Sequence, residues 1–331
     1  MDDQINPGAE IPIGIQGHYS DLSDLDAALR GWQIDNLQLE AGKLDATVLQ
    51  VHHPRFILTR GVYNRKIDQH GAAPAGYRTF GITIGGDGSA QWCGRKVDDS
   101  TVLVFGADRE FCAARPADTI LYTLAIREQD LELCSEMIGY SVDDELHRNQ
   151  NLAVACDPRM TKALRQRFNL LCEAIQAHPR MTQSNAAVDE LVMNLPATLL
   201  MALATSKGRA RKSLPPLKHS ALERARSYIA AHGNQHISMK DLCRVGHATW
   251  ETVNSAFLEY YGITARNYLM AVRMNGVRKA LRDNPRRPIA EVAAKWGFRQ
   301  LDQFTKQYTR QFGEAPSETR AAPIVTDSRV H

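Results

Sequence analysis

The chain has 331 residues, with 40 Lys and Arg against 37 Asp and Glu, and its formal net charge at pH 7 is +3. A chain of this length can hold two or three domains, each with its own hydrophobic core. It shows no apolar run typical of a signal peptide, and no stretch approaches the ~20 apolar residues that a membrane-spanning helix needs. The composition therefore argues against a helical membrane protein, and we expect a cytoplasmic one.

Short β-rich runs, separated by Gly, Pro and Asp turns, occupy residues 31–127. Several short antiparallel strands at this spacing predict a small barrel or jelly roll. The runs are KLDATVLQV, RFILTRGV, YRTFGITI, TVLVFG and DTILYTLAI.

Cationic and aromatic side chains in the β region could form a pocket for a small effector. Arg binds anions through bidentate hydrogen bonds, and Tyr and Trp rings stack on planar groups. We therefore predict an anionic or nucleotide-like effector, against the simpler interpretation that these residues lie on a solvated outer face. The candidates are Arg60, Tyr63, Asn64, Arg65, Lys66, Arg78, Trp92 and Arg95.

The same region lacks the residue patterns of a metal enzyme. A His-x-His pair, a carboxylate and a later His would have to converge on one ion. His52 and His53 are adjacent and point to opposite faces of a strand, and His70 has no partner near it in the sequence. No nucleophile elbow or phosphate loop occurs. We predict no catalytic residues, no bound metal and no cofactor.

Six cysteines show no CxxC pair and no clustering with His. This pattern favours reduced, partly buried thiols over disulfides or a metal site. They lie at positions 93, 112, 134, 156, 172 and 243.

Two apolar stripes at helical spacing follow between residues 157 and 206, and HPRMTQ separates them. They predict a helical hairpin whose second arm is kinked at Pro196. The stripes could equally pack on the β domain or form a dimer interface. They comprise Met160, Leu164, Phe168, Leu171 and Ile175, then Val188, Leu191, Leu195, Leu199 and Leu203.

A change in charge marks the next boundary. The segment SKGRARKSLPPLKH is basic, contains Gly and ends near Pro-Pro, which predicts an exposed linker. Residues 207–320 carry 21 Lys and Arg against 9 Asp and Glu, a charge of +12 that leaves −9 for the rest of the chain. Such a basic domain favours nucleic acid, because neutralising phosphates supplies affinity that does not depend on base sequence.

The last third of the chain repeats one helical unit. SMKDLCRVGHATWETVNSAFLEYYG and PIAEVAAKWGFRQLDQFTKQYTRQFG align in register. Each predicts a short helix with an apolar-plus-small pair, then a second helix with apolar anchors four residues apart and a terminal Gly. The matched positions are Leu242 with Val292, Cys243 with Ala293, Val253 with Phe304, Phe257 with Tyr308 and Gly262 with Gly313.

A single amphipathic helix, capped by Thr264, is predicted between the two copies. It would span roughly 30 Å, close to the ~34 Å between successive major-groove openings on one face of DNA. Gly276 within it should cost roughly 1 kcal/mol relative to Ala, and we expect close packing against a neighbouring helix to compensate.

From Leu217 to Arg320 the chain resembles the DNA-binding domain of the AraC/XylS family of bacterial transcription regulators. The most specific stretch is AEVAAKWGFRQLDQFTKQYTRQFGEAPSETR, and its ending FGEAPSET is similar to the branch with ethanolamine-operon regulators. Three residues of the first recognition helix, Trp250, Glu251 and Ser255, depart from the more basic side chains frequent in the family. Arg299-Gln300 replaces the usual capping Ser before the second.

The resemblance implies double-stranded promoter DNA and RNA polymerase as partners, a homodimer, and base contacts from both recognition helices. It also implies a cupin-like fold for the β domain. The residues expected to face bases are Glu251, Asn254, Ser255, Leu301, Asp302, Gln303 and Lys306.

We therefore predict an α+β chain with an N-terminal cupin-like β-barrel or jelly roll, a helical hairpin, and a C-terminal all-α domain with two helix-turn-helix motifs. The favoured function is a transcription activator gated by a small effector. The alternatives are a constitutive architectural DNA-binding protein whose β domain serves only assembly and, with less support, a cupin-type enzyme. The expected boundaries are 1–150 for the β domain with flanking helices, 151–206 for the hairpin, 207–218 for the linker, 219–320 for the DNA-binding domain and 321–331 for a tail.

Overall fold

The computed structural model describes residues 16–139, 150–178, 185–206, 208, 210, 212 and 214–321, with only the backbone for 185–192. Most of the predicted tail therefore lies outside the described residues. The strands are β1 Gln16–Tyr19, β2 Gln33–Gln38, β3 Ala46–His53, β4 Phe56–Tyr63, β5 Ile67–Ala72, β6 Tyr77–Gly85, β7 Gln91–Trp92, β8 Arg95–Lys96, β9 Thr101–Phe105, β10 Glu110–Arg115, β11 Thr119–Arg127 and β12 Leu152–Ala155.

The helices are α1 Leu22–Ala28, α2 Glu128–Ile138, α3 Pro158–Ala177, α4 Asn185–Ala204, α5 Pro216–His232, α6 Met239–Gly246, α7 Trp250–Tyr261, α8 Ala265–Asp283, α9 Ile289–Lys295, α10 Leu301–Phe312 and α11 Pro316–Ala321. Strands thus fill the N-terminal half and helices the C-terminal half. The α+β class predicted from the sequence is confirmed.

Two antiparallel sheets form the N-terminal domain. The larger has the order β1-β3-β4-β11-β6-β9-β12 and the smaller the order β2-β5-β10-β7-β8. The five β-rich runs of the sequence form β3, β4, β6, β9 and β11, all within the larger sheet. Because β12 pairs with β9, this sheet extends beyond residue 150, where the sequence placed the start of the hairpin.

The larger sheet is buried on both faces. Its outer face packs against α2, α3 and α4, and the hairpin side chains Leu164, Phe168, Leu195 and Leu199 all belong to this core. These four stripe residues are therefore covered by the sheet of the same chain, which is the simpler of the two interpretations. The side chains of Val188 and Leu191 lie outside the described residues.

Aromatic rings and polar side chains share the space between the two sheets. Trp92 stacks on Phe111, with ring centroids 5.0 Å apart, and meets Phe105 edge-on at 4.5 Å. Arg115 is 3% exposed, and its guanidinium donates to the Gln69 side chain at 2.8 and 3.0 Å.

The linker is attached to the β domain at its described residues. Gly208 accepts a backbone hydrogen bond from Ala155 at 2.9 Å, and Ala210 donates one to Ala153 at 2.7 Å. Leu214 is buried. The expectation of an exposed linker was therefore wrong for Ala210 and Leu214, whereas Gly208 is exposed. The linker binds here because β12 is an edge strand with unpaired backbone groups.

Helices α5 to α11 form the C-terminal domain, which contains the two predicted helix-turn-helix units. The first unit is α6–α7 and the second is α9–α10, with α8 between them. The anchors Val253 and Phe257 are fully buried, as are their counterparts Phe304 and Tyr308. The side chains around Phe257 form one core, and those around Phe304 form another.

Gly276 lies in the middle of α8 against the second unit. A Cβ atom at this position would lie 2.1 Å from Cη2 of Trp296, so no side chain fits there. The predicted compensation for glycine in this helix is thus confirmed: the indole of Trp296 packs directly on the backbone of α8.

Candidate nucleic-acid interface

The two recognition helices, α7 and α10, each have 12 residues and end at a glycine with φ 71°. Gly262 and Gly313 adopt this left-handed conformation without a Cβ clash. The helices begin differently. Thr249 caps α7 by accepting from the Thr252 N–H at 3.3 Å, whereas Gln300 makes no side-chain capping bond to α10.

The base-contact candidates of α7 differ in exposure: one is exposed to solvent, and two are half-buried. Glu251 is exposed. Asn254 is half-buried, and its side-chain oxygen accepts from the Ala265 N–H at 3.4 Å at the start of α8. Ser255 donates to the Thr252 carbonyl at 3.2 Å within its own helix. Only Glu251 is fully presented to solvent.

The candidates on α10 lie together. Leu301, Asp302, Gln303 and Lys306 are all exposed and line one open depression at the start of the helix, with Gln300 at its edge. This grouping follows from helical geometry, because residues one turn apart share a face.

Trp250 is an exposed residue that was missing from the sequence-based set. It opens α7 as Leu301 opens α10, and the two side chains are 51% and 46% exposed. The aligned repeats contained this signal, because Val253 matches Phe304 and the register then sets Trp250 opposite Leu301. A large apolar side chain at the start of a recognition helix can contact a thymine methyl group.

Exposed cations surround the two helices. Phosphate contacts from such side chains set the position of a protein on the duplex, whereas base contacts set its sequence preference. The exposed cations of this domain include Lys240, Arg244, Arg266, Arg286, Arg287, Lys295, Arg299 and Arg310.

The β domain touches the C-terminal ends of both recognition helices. A Cβ at Gly262 would lie 2.9 Å from Nζ of Lys66, and one at Gly313 would lie 2.8 Å from Cβ of Lys43. Lysine at a helix C-terminus is favourable, because the carbonyl end of the helix carries partial negative charge. The N-terminal ends, which carry the base-contact candidates, are not involved in these contacts.

A buried ion-pair cluster joins α1 to α8. Arg278 donates through Nε to Asp21, and its Nη2 lies 3.0 Å from the Glu314 carboxylate. Arg282 binds Asp21 at 3.2 Å and Asp24 at 2.5 Å. Burial raises the pKa of Asp21, but the charges of Arg278 and Arg282 outweigh it and hold the pKa below its ordinary value.

A second polar contact joins β5 to the C-terminal domain. The Tyr268 hydroxyl donates to Asp68 at 2.6 Å, and His70 lies 2.9 Å from Asp68 and 3.0 Å from Arg226. His70 thus contacts Asp68 on its own strand and Arg226 of α5, an arrangement that is not a metal-ligand set. Burial lowers the pKa of His70, but the hydrogen bond and charge of Asp68 raise it above the ordinary value.

A cleft of about 580 Å³ separates α1 and β2 from α8 and carries Asp26 on its wall. The carboxylate of Asp26 accepts hydrogen bonds from the side chain and backbone N–H of Asn36. Burial raises the pKa of Asp26 to about 7, despite these bonds.

The eight effector candidates have different surroundings within the described part of the chain. Tyr63, Arg78 and Trp92 are buried in the domain interior. The remaining five lie elsewhere on the domain, with Asn64 bonded to the Asp45 N–H and Arg95 to the Ala210 carbonyl. The sequence could not separate these sites, because residues on neighbouring strands can face opposite sides of a sheet.

Among residues 16–139, 150–178 and the other described positions, no group of three or more His, Cys, Asp or Glu is arranged to hold a metal ion. None of the described helices is long and apolar enough to cross a membrane.

Comparisons with known proteins agree with this geometry. Residues 242–322 match the family described as "Helix-turn-helix domain". The XylDLEGF operon transcriptional activator of Pseudomonas putida is 29% identical over 101 residues, which cover 30% of this chain and 32% of that protein. The probable thc operon regulatory protein of Rhodococcus erythropolis is 29% identical over 149 residues, covering 44% and 43%.

Among solved structures, a probable AraC family transcriptional regulator from Rhodopseudomonas palustris is similar, with 27% identity and a TM-score of 0.29. That match covers 31% of this chain and 98% of the other. The chain thus spans less than half the length of either regulator above.

Two helix-turn-helix units joined by one helix define a DNA-binding domain of the helix-turn-helix class. The domain is of the AraC type, and the resemblance to AraC/XylS regulators predicted from the sequence is confirmed.

Proposed function

We propose that this chain is a sequence-specific DNA-binding transcription regulator that reads two successive major grooves with α7 and α10. The observation that supports this most is the shared design of the two helices. Each buries its aromatic anchors, is held at its C-terminal end and exposes its N-terminal end within a domain of charge +12. Recognition helices place their N-terminal residues on base edges, which is the end left free here.

The expected base contacts differ between the two helices. On α10, Lys306 can reach guanine, Asp302 and Gln303 can bond to exposed amino groups, and Leu301 can meet a thymine methyl. On α7, Glu251 can accept from a cytosine amino group. Asn254 and Ser255 would have to exchange their internal hydrogen bonds for contacts with bases, so we assign them a smaller share of the specificity.

Selection of binding sites from random duplex DNA by the full chain tests the proposal. We expect an enriched sequence with two separate conserved blocks. Replacing Lys306 with Ala should weaken binding to the selected site by roughly 1–3 kcal/mol and binding to random DNA much less. The control is Lys162→Ala, an exposed lysine on α3 that should change neither. Equal losses on both DNAs would make Lys306 a phosphate contact, and no enrichment at all would contradict sequence-specific binding.

We further propose that the regulator is a cytoplasmic activator, acts as a homodimer with RNA polymerase as partner, has no enzymatic activity, and is gated by a small effector. Gating is supported by the ion pairs between α1 and α8, since they couple the β domain to the helix that links both units. A ligand shifts such an arrangement only through its different affinities for the two states. The cleft beside Asp26 suits this purpose better than the eight scattered candidates, because both domains line it.

Thermal-shift screening of the full chain with metabolites and cyclic dinucleotides tests gating. A true effector should raise the melting temperature and change DNA affinity by 5- to 150-fold, a coupling of roughly 1–3 kcal/mol. Asp26→Asn should abolish the response if the cleft is the site, whereas Arg60→Ala and Arg65→Ala should abolish it if the strand candidates are. A ligand that stabilises the chain yet leaves DNA affinity and oligomeric state unchanged would favour the constitutive architectural protein.

A further inference from the structure

Two cysteines face each other across neighbouring strands of the smaller sheet. The pairing of β7 with β10 sets Trp92 opposite Ala113, and the next residues in register are Cys93 and Cys112. The Cys93 N–H donates to the Cys112 carbonyl at 2.8 Å, and the two thiols hydrogen-bond to each other. Directly opposed residues in an antiparallel pair have Cα atoms roughly 4.5–5.5 Å apart, within the ~4.4–6.8 Å range of disulfides.

Cys93 occupies an unusual position for its residue type. It forms with Gly94 a two-residue turn between the paired residues Trp92 and Arg95, and the φ angles are 43° and 76°. Such turns need positive φ at both positions and favour Asn and Gly. Non-glycine residues in this conformation concentrate at functional sites.

The environment favours Cys112 as the reacting thiol. The hydrogen bond from Cys93 lowers the pKa of Cys112, and Arg226 and His70 act in the same direction against burial and Glu223. Both residues are half-buried, whereas Cys134, Cys156 and Cys172 are buried, so this pair is the more accessible to a small oxidant. A thiolate is the form that reacts with oxidants.

We propose that Cys93 and Cys112 form a redox modification site, which hydrogen peroxide closes into a reversible disulfide. The Cys112 thiolate attacks one peroxide oxygen, so that an S–O bond forms, the O–O bond breaks and hydroxide leaves. The Cys93 sulfur then attacks the sulfenic sulfur; an S–S bond forms, the S–O bond breaks, and the released hydroxide takes the Cys93 proton. Two thiols are oxidised by two electrons and one peroxide is reduced to two waters.

The site lies against α5, the first helix of the DNA-binding domain. His70 is the strand partner of Cys112 and contacts Arg226 of α5. A Cβ at Gly94 would lie 2.7 Å from Cε1 of His219, also on α5. Closing the disulfide displaces the turn relative to this helix, whose inner face packs against the first helix-turn-helix unit. The predicted change in DNA affinity rests on the DNA-binding function proposed above.

Peptide mapping of the full chain after mild peroxide treatment tests the chemistry. Tryptic cleavage after Arg95 and after Arg109 places the two cysteines on different peptides. We expect these peptides to be joined after peroxide and separated by dithiothreitol. Cys243→Ser is the control that should behave like the unmodified chain. Unlinked thiols, or a sulfinic acid on Cys112 without a link, would overturn the site.

DNA binding by the reduced and oxidised chain tests the consequence. On a duplex selected with the reduced chain, oxidation should weaken binding at least fivefold, and dithiothreitol should restore it. Cys93→Ser and Cys112→Ser should each abolish the response while melting like the reduced chain. A disulfide that forms without changing DNA affinity would overturn the regulatory role. Absence of DNA binding in both states would contradict the proposed function and leave the peptide result intact.

Discussion

The two helix-turn-helix units follow one plan but are joined to the β domain in different ways. The core of the first unit, around Phe257, continues into the β domain through Leu39 and Ala114. The core of the second unit, around Phe304, contains only residues of the C-terminal domain.

Polar contacts join the second unit to the β domain instead. The β2 residue Gln38 exchanges hydrogen bonds with the side chain of Asn275 at 3.2 and 3.0 Å and with Gln311 at 3.0 and 3.2 Å. The ion pairs of Arg278 lie beside them. The first attachment also contains polar contacts, those of Tyr268 and His70 with Asp68, but it combines them with a shared apolar core. Ion pairs respond to pH more strongly than apolar burial does, so we expect the second attachment to be the more sensitive to pH.

The largest expected effect comes from removing one buried aromatic ring from each of the two cores. Phe257→Ala and Phe304→Ala should each cost roughly 3–5 kcal/mol of stability, because both rings are fully buried. Calorimetry should show one lowered transition for Phe257→Ala, since its core includes the β domain, but a separate early transition for Phe304→Ala. Exposed Leu258→Ala is the control. The comparison fails if Phe304→Ala lowers the melting temperature of the β domain as much as Phe257→Ala does.

Removing the Asp21 charge comes next. Asp21→Asn leaves Arg278 and Arg282 without their shared carboxylate and should cost about 3 kcal/mol in urea unfolding. Because the folded pKa of Asp21 is lowered, its contribution is present above the unfolded pKa near ~3.9 and is lost as the pH falls through the folded value.

The control for Asp21 is Asp45→Asn, which removes a surface pair with His18 and should cost less than about 1 kcal/mol. An Asp21 variant as stable as that control would show that the ion pairs do not hold the second unit.

The contribution of Asp26 to folding stability should change with pH in the direction opposite to that of Asp21. Its folded pKa, raised to about 7, means that its stabilising contribution is complete below the unfolded pKa and is lost as the pH rises through 7. Between pH 5 and pH 8 the unmodified chain should lose about 1 kcal/mol or more relative to Asp26→Asn. Exposed Asp99→Asn supplies the control, because Asp99 is not among the charges that shift the pKa of Asp26. Parallel pH profiles for all three chains would contradict the assignment.

The smallest effect concerns the helix starts. Gln300→Ser supplies α10 with the kind of cap that Thr249 gives α7, and it should stabilise the second unit by about 0.5–1 kcal/mol. Thr249→Ala should destabilise the first by a similar amount. Hydrogen exchange in the first turns of α7 and α10 measures both changes. An unaltered exchange rate in α10 of Gln300→Ser would mean that the missing cap does not destabilise this helix.

The repeated units were predictable because each is local. Spacing of apolar residues, the capping Thr264 and the terminal glycines all act within a few residues. Likewise, the exposed face of α10 followed from helical periodicity. The environment of Asn254 was not predictable, since its partner Ala265 belongs to the next helix.

The β domain was less predictable, because both faces of its larger sheet are covered. Alternation of polar and apolar residues then no longer separates inside from outside. Arg78 on β6 therefore looked like a candidate for a ligand although the fold buries it. The contacts of Asp21 and His70 join residues more than 150 positions apart and leave no local pattern.

The indole of Trp296 on the backbone of Gly276 has a consequence for the DNA as well as for the protein. At that glycine the second unit approaches the backbone of α8 more closely than a side chain would allow, and this contact helps to set the offset between α7 and α10. An inserted base pair would turn one sub-site by roughly 36° around the duplex and shift it by about 3.4 Å relative to the other. If the chain reads two successive grooves as proposed, this glycine constrains how many base pairs an operator can place between its two sub-sites.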